Sequence, residues 1–279
     1  MRDTLRLPPE LGDRMPKYEY QNISCVVQDH LARITLERPE YLNAWSPGII
    51  GDLLDVFEKV RDDTEVRAVL ITGSGRGFCA GAYVKDPNTH GNVHGPAVVL
   101  NSPSREATLL DLMWTLPKPL VAAVNGVAYG AGLNMVLCAD LVVTAEEATF
   151  CFPMAKLGII PAAPGVSALA LRVGTGRAAE IGLLGEPVDG KAAAAMGLAN
   201  KAVSAEELMP AAIEWGEKLA ANAPLSVRLI KEDLRESMEH HIDERATWMR
   251  DMFCFMSEDR EEGHAAWREG RRKPNFQGK

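Results

Sequence analysis

ISCVVQD (23–29) and LARITLE (31–37) alternate apolar and polar residues on either side of Asp29-His30, which predicts a β-hairpin. Ser46 followed by Pro47 marks a helix start. Ile50, Leu53, Leu54, Phe57 and Val60 then recur at helical spacing and predict an amphipathic helix over 47–62. AVLIT (68–72) is an unbroken apolar run, as expected of a strand buried on both faces. From Gly73 to Arg105 the chain is rich in Gly, Pro, Asn and Ser without periodicity, so a long loop is expected there. A helix over 105–115 should end before Pro117-Lys118-Pro119. LVAAV (120–124) reads as another buried strand turned by Asn125-Gly126, and LVVTA (141–145) as a further strand after a short helix.

Beyond residue 165 the pattern is mostly helical, with weak strand character at KAVS (201–204). The last seventy residues predict two or three charged helices. Alternating buried strands and helices imply an α/β protein with an α-helical appendage. The expected organisation is an irregular lead-in over 1–20, an α/β core over 21–205 and a helical region over 206–279.

With 279 residues, 47% of them hydrophobic, the chain can bury a sizeable core. Its 30 basic and 38 acidic side chains give a net charge of −8, which opposes general binding to nucleic acid or an anionic membrane. An anionic ligand can still be held by local cations and backbone N–H groups. Cys25, Cys79, Cys138, Cys151 and Cys254 are scattered, as for reduced thiols in a reducing compartment. No stretch approaches the roughly 18 apolar residues of a membrane span, and the N-terminus lacks a signal-peptide core, so a cytoplasmic protein is expected.

Several motifs fail on inspection. GEPVDGKA (185–192) nearly spells a phosphate-binding loop, but Ala192 replaces the magnesium-holding hydroxyl. Pro187 also removes a donor, and Glu186 and Asp189 repel phosphate, so a turn explains the segment. GSGRGF and GAGLNM follow strands, yet neither has dinucleotide-binding spacing, and Met135 stands where the third glycine is needed. His90 and His94 are four apart in a poor helix with no third ligand, so no metal site is expected. His240-His241 reads as surface, and the absence of a G-x-S-x-G elbow excludes a standard serine hydrolase of that type.

Two glycine-containing segments, GRGFCAGAYVKD (75–86) and NGVAYGAGLNM (125–135), each follow a buried strand. Gly130, Ala131 and Gly132 carry at most a methyl group, so a ligand can approach their N–H groups before the apolar helix LNMVLCA. If the first segment supplies a matching donor, the pair forms an oxyanion hole. Tight packing explains the same glycines equally well.

LARITLERPEYLNAWS, FCAGAYVKD, AAVNGVAYGAGLNMVLCADLVV, ATFCFPMAKLGIIPAAPG and EDREEGHAAWREGRRKPNF are similar, in that order, to blocks of the crotonase superfamily, the enoyl-CoA hydratase/isomerase family. The likeness runs from residue 18 to the end. It implies a crotonase-like spiral of ββα units, then helices that mediate assembly into a homotrimer or, by pairing, a hexamer. It also implies an acyl-CoA substrate, coenzyme A entering as part of the thioester, and no permanently bound cofactor. By position, the N–H groups of Ala82 and Ala131 would grip the thioester carbonyl. Lys85 would lie close to coenzyme A, and residues around Ala44 and Ala80 would line the adenine and pantetheine path. Phe276 and the run Arg271-Arg272-Lys273 would reach a neighbour's nucleotide. Among apolar residues, Trp114, Leu133, Phe152 and Met154 are candidates for an acyl pocket, and ordinary core explains each of them at least as well.

Hydratases of that family use two glutamates, and here the matching positions are Asn134 and Met154. The aspartate of related isomerases falls at Ala162. Each missing general acid or base is worth on the order of 10²–10⁴ in rate. Three readings follow. The first is an enzyme with an unusual acid or base, drawn from Tyr83, Asp86, His90, His94, Glu106 and Asp111, or from Glu239, His241 and Glu244. The second is a non-catalytic acyl-CoA-binding protein, and the third a weak hydratase in which Asn134 positions water.

Overall fold

The computed structural model describes residues 18–83, 105–157, 161, 162, 164–239, 257–269, 271 and 274–278. Strands β1 (Ile23–Gln28) and β2 (Leu31–Leu36) form the expected antiparallel hairpin. Its turn residues Asp29 (φ 49°) and His30 (φ 65°) are both left-handed, as a type I′ turn requires. Helix α1 spans Pro47–Asp62, and the Ser46 side chain accepts from the Ile49 N–H as its N-cap. Its buried face includes Leu53, Val56 and Phe57, each worth about 1.5–3 kcal/mol relative to exposure.

The chain continues through β3 (Ala68–Gly73), β4 (Gly77–Cys79) and α2 (Arg105–Trp114). Next come β5 (Leu120–Val124), β6 (Val127–Tyr129), α3 (Ala131–Cys138), β7 (Leu141–Ala145), β8 (Thr149–Cys151) and α4 (Gly165–Ala179). Then follow β9 (Val188–Asp189), α5 (Gly190–Ala195), β10 (Lys201–Val203), α6 (Ala205–Ala221), α7 (Pro224–Glu239) and α8 (Glu258–Arg268). The near-P-loop is thus a short strand and a helix, with Asp189 accepting from the Ala192 N–H as an N-cap.

One sheet has the order β1-β2-β3-β5-β7-β10, parallel from β2 onward, and a second has the order β4-β6-β8-β9. Each of β3, β5 and β7 passes to a short strand of the second sheet and then to a helix, which makes three successive ββα units. Helix α6 packs on β3, β5 and β7. All five residues of β5 are buried, as a doubly covered strand should be.

Within the expected 73–105 loop, Gly77–Cys79 is a strand. Three residues are too few to show alternation, and pairing with β6 holds them in place. The rest of that loop, residues 84–104, lies outside the described residues.

Where β5 and β7 of the first sheet begin, Asp140 accepts from Lys231 at 2.8 Å, from Arg235 at 2.9 Å and from the Leu120 N–H at 2.7 Å. Arg172 and Arg235 donate to carbonyls at the end of α3, Arg172 to Ala139 and Arg235 to Cys138. These cations stand at the negative end of the α3 dipole. Burial pushes the Arg172 guanidinium down to about 10 and also lowers Lys231. Replacing Asp140 by alanine should therefore leave two buried cations without their carboxylate. The expected loss is about 3–5 kcal/mol of stability, read by urea unfolding; a loss below 1 kcal/mol would mean that water already solvates the cluster.

Candidate active site

β4 and β6 are parallel neighbours, so the turns that follow them lie side by side. After β4, residues 80–83 are pinned to 42–45 by three hydrogen bonds. Ala80 N–H donates to the Leu42 carbonyl (3.0 Å), Trp45 N–H to Gly81 (2.7 Å) and Tyr83 N–H to Trp45 (3.0 Å). Trp45 and Ala82 are therefore bridge partners in which only the flanking residues of 82 are bonded. The Ala82 N–H points away from residue 45 and meets no acceptor among the described residues.

After β6, Gly130 (φ 53°) donates to the Cys151 carbonyl (2.9 Å) and caps α3 without a side chain. The first intrahelical-type bond in this turn runs from the Asn134 N–H to the Gly130 carbonyl (3.0 Å). That leaves the N–H groups of Ala131, Gly132 and Leu133 without protein acceptors among the described residues, as at any helix start.

Two glycines bring these donors together. Gly81 has φ +91°, and a Cβ there would stand 2.8 Å from the Tyr129 carbonyl oxygen and 3.5 Å from the Ala131 nitrogen. A Cβ on Gly132 would fall on the Cys79 carbonyl oxygen. The 80–82 segment thus lies directly against the start of α3, with the Ala82 and Ala131 donors on adjoining strands of chain. Two such donors, with the positive end of the α3 dipole behind one of them, can stabilise negative charge growing on a single oxygen atom.

Asn134 and Met154 flank this feature. The Asn134 side chain is 1% exposed, and its Oδ1 has no hydrogen-bond partner among the described residues. The Met154 methyl would be 3.2 Å from a Cβ on Gly130, so the thioether packs beside the cap of α3. Burial pushes the Cys79 thiol up to about 12 and raises Cys151 as well, so neither is a thiolate at neutral pH.

Of the other expected site residues, Ala44 is buried and Ala80 half-buried on the two tethered segments. The Tyr83 ring meets Tyr41 edge-on at 5.1 Å, and the Arg38 guanidinium covers Tyr41 at 4.6 Å. Ala162 and Asp111 are exposed. Leu133 and Phe152 belong to the fully buried core, and Trp114 stacks on the Arg235 guanidinium at 3.8 Å. Phe276 folds back on its own chain, its ring 3.4 Å from the Cβ position of Gly263 and its carbonyl accepting from Arg67 at 2.7 Å. Lys85, Asp86, His90, His94, His241, Glu244, Arg272 and Lys273, with the side chains of Glu106 and Glu239, lie outside the described residues. Among the described residues, no three His, Cys, Asp or Glu side chains gather closely enough to hold a metal. No described helix is long and apolar enough to cross a membrane.

Sequence reasoning missed Asn43 as an organiser of the site. It is fully buried, accepts from the Arg38 N–H (2.8 Å) and donates to the carbonyls of Ser74 (3.0 Å) and Gly77 (2.8 Å). The one local signal was an asparagine inside an apolar Leu-Asn-Ala-Trp run.

A sequence model described as enoyl-CoA hydratase/isomerase matches residues 27–279. The chain is 31% identical over 263 residues to the short-chain-enoyl-CoA hydratase of Clostridium acetobutylicum, covering 92% of this chain and 98% of that protein. It is 32% identical over 255 residues to the 1,2-epoxyphenylacetyl-CoA isomerase of Escherichia coli K12, covering 91% and 97%. Among solved structures, an enoyl-CoA hydratase from Bacillus anthracis matches with a TM-score of 0.86 at 31% identity, covering 93% of this chain and 100% of that one.

Proposed function

This chain belongs to the enoyl-CoA hydratase/isomerase family, and on that premise we propose that it activates an acyl-CoA thioester by holding the carbonyl oxygen between the N–H groups of Ala82 and Ala131. The supporting observation is that both donors lack a protein acceptor among the described residues, on segments that meet at Gly81. A thioester enolate or a tetrahedral intermediate concentrates charge on that oxygen. Each donor aimed at it is worth about 3–4 kcal/mol in the transition state. The two relatives above carry out different reactions, yet both names specify a coenzyme A thioester. That shared part is what we transfer: coenzyme A arrives with the substrate, and the mechanism needs no resident cofactor.

Proton transfer is where this chain departs from a standard hydratase. Asn134 offers a carboxamide, Met154 a thioether and Ala162 a methyl, at the positions the resemblance equates with acid/base groups. A carboxamide orients a water or a hydroxyl but does not take its proton near neutral pH. We therefore expect turnover of crotonyl-CoA below about 0.1 per second, at least 10²-fold under a typical enzyme. The check is loss of enone absorbance with protein near stoichiometric concentration. Rapid multiple turnover would show that a water-activating group exists outside positions 134, 154 and 162.

The neutral pair Asn134 and Met154 also favours a second reading, a non-catalytic acyl-CoA-binding protein. Tight binding of acyl-CoA thioesters with no conversion of any of them would select it. Assembly into a homotrimer or hexamer belongs to the proposal too: Leu171, Leu183 and Leu184 are more than half exposed, an apolar surface that a second copy would cover.

A further inference from the structure

We propose that Trp45 is a positioning residue that fixes the two carbonyl-binding donors relative to each other, its backbone holding the Ala82 segment and its indole holding the helix that starts at Ala131. This inference rests on the thioester carbonyl being held at those two N–H groups.

Trp45 is 2% exposed and Met135 fully buried. The indole Nε1–H donates to the Met135 Sδ at 3.1 Å, a bond between residues 90 apart in the chain. Sulfur is a weak acceptor, but a buried indole N–H needs a partner, and the thioether supplies one. Met135 stands four residues after Ala131 on α3, so the two share a face of that helix. The indole therefore grips α3 on the Ala131 face.

The backbone of the same residue is bonded to the first donor segment on both sides of Ala82. Trp45 N–H donates to the Gly81 carbonyl at 2.7 Å, and the Trp45 carbonyl accepts from the Tyr83 N–H at 3.0 Å. Ala82 lies between these bonds as the bridge partner of Trp45. One residue thus couples Ala82 to α3. Its own place is fixed by Asn43, two positions earlier, which donates to the Ser74 and Gly77 carbonyls.

Gly81 and Gly132 already bring the two segments close, but van der Waals contacts at a glycine have no direction. The N–H···S bond has one, since hydrogen bonds weaken steeply as they bend. It resists sliding of α3 past residues 80–82, which the glycine contacts allow. Precision of this kind matters at the site, because a misplacement of about 1 Å can cost about 10²-fold.

The test compares acetoacetyl-CoA, a 1,3-dicarbonyl thioester that ionises to an enolate, with butyryl-CoA, whose carbonyl stays neutral. Calorimetry reads both dissociation constants, and absorbance against pH reads where bound acetoacetyl-CoA ionises. Trp45→Phe and Met135→Leu each remove the indole–sulfur bond and keep a large apolar side chain. In each, enolate affinity should fall about 10-fold and the bound ligand should ionise about one pH unit higher. Butyryl-CoA should bind within about twofold of wild type. The double variant should lose no more enolate affinity than the worse single one, because both changes break one contact.

Wild-type ionisation of the bound ligand in a folded single variant overturns the proposal. So do losses that add in the double variant, or a loss for butyryl-CoA as large as for the enolate. Failure of both single variants to fold would make the pair a support of the core and overturn it as well. Ala131→Pro, which deletes one donor outright, separates this inference from the reading it rests on. If that variant also keeps full enolate affinity, the carbonyl is not held at Ala131 and both fall. If it weakens the enolate while the Trp45 and Met135 variants do not, the positioning role alone is lost.

Discussion

Ala131→Pro is expected to lower turnover of any thioester the protein converts by about 10²–10³-fold while leaving the fold intact. Ala131 is the first residue of α3, the one helical position where proline is favoured, because the N–H there has no intrahelical partner. The fold loses no hydrogen bond, since none is made by that N–H to a described residue. The preceding residue is Gly130, which has no Cβ to clash with the proline ring. Only the donor that we assign to the substrate oxygen is lost. Acetoacetyl-CoA gives a readout that needs no turnover, because this 1,3-dicarbonyl thioester ionises readily to an enolate. Binding of that enolate should weaken by a similar factor, while butyryl-CoA, with little charge on its carbonyl, should bind nearly as before. Ala131→Gly keeps the N–H and should behave as wild type. Full enolate affinity in folded Ala131→Pro would take this N–H out of the mechanism.

The parts of the molecule that were legible in the sequence are those whose periodicity exceeds one turn or a few strand residues. The hairpin around Asp29-His30, helix α1 and the buried runs of β3, β5 and β7 lie where apolar spacing puts them. The second sheet was not legible, because β4, β6 and β8 are three residues each and exist through pairing with one another. The Asp140 cluster escaped for another reason: it joins Leu120, Asp140, Lys231 and Arg235, which have no local relation in the chain. For the site, the glycines pointed to close approach, but tight packing and ligand access were equal explanations. The fold shows the packing, and access of a ligand belongs to the proposal. Gly81 and Gly132 pack two segments together, and that packing sets the Ala82 and Ala131 donors side by side. The substitution at Asn134 was visible from the start, whereas the lack of a partner for its oxygen among the described residues emerged only with the fold.

That packing makes Gly132→Ala the most damaging single methyl expected near the site. The added carbon would land on the Cys79 carbonyl oxygen, a backbone atom of a strand paired to β6. Neither side can yield by a change of rotamer. Helix α3 is held from behind by Arg172 and Arg235, and β4 from in front by Asn43 and Asn125 on the Gly77 carbonyl. Relief therefore requires moving a helix or a strand, at a cost of about 3 kcal/mol or more. The measurement is urea unfolding, with Gly176→Ala as the control. Gly176 lies in α4 with open space around its Cβ position, so a methyl there should be neutral or stabilise by about 0.5–1 kcal/mol. Where Gly132→Ala still folds, the displaced α3 should separate the two donors, and enolate binding should fall as it does for Ala131→Pro. A Gly132→Ala protein with wild-type stability and wild-type enolate affinity would mean that α3 does not rest on Cys79. The spacing of the two N–H groups would then have to be set from elsewhere.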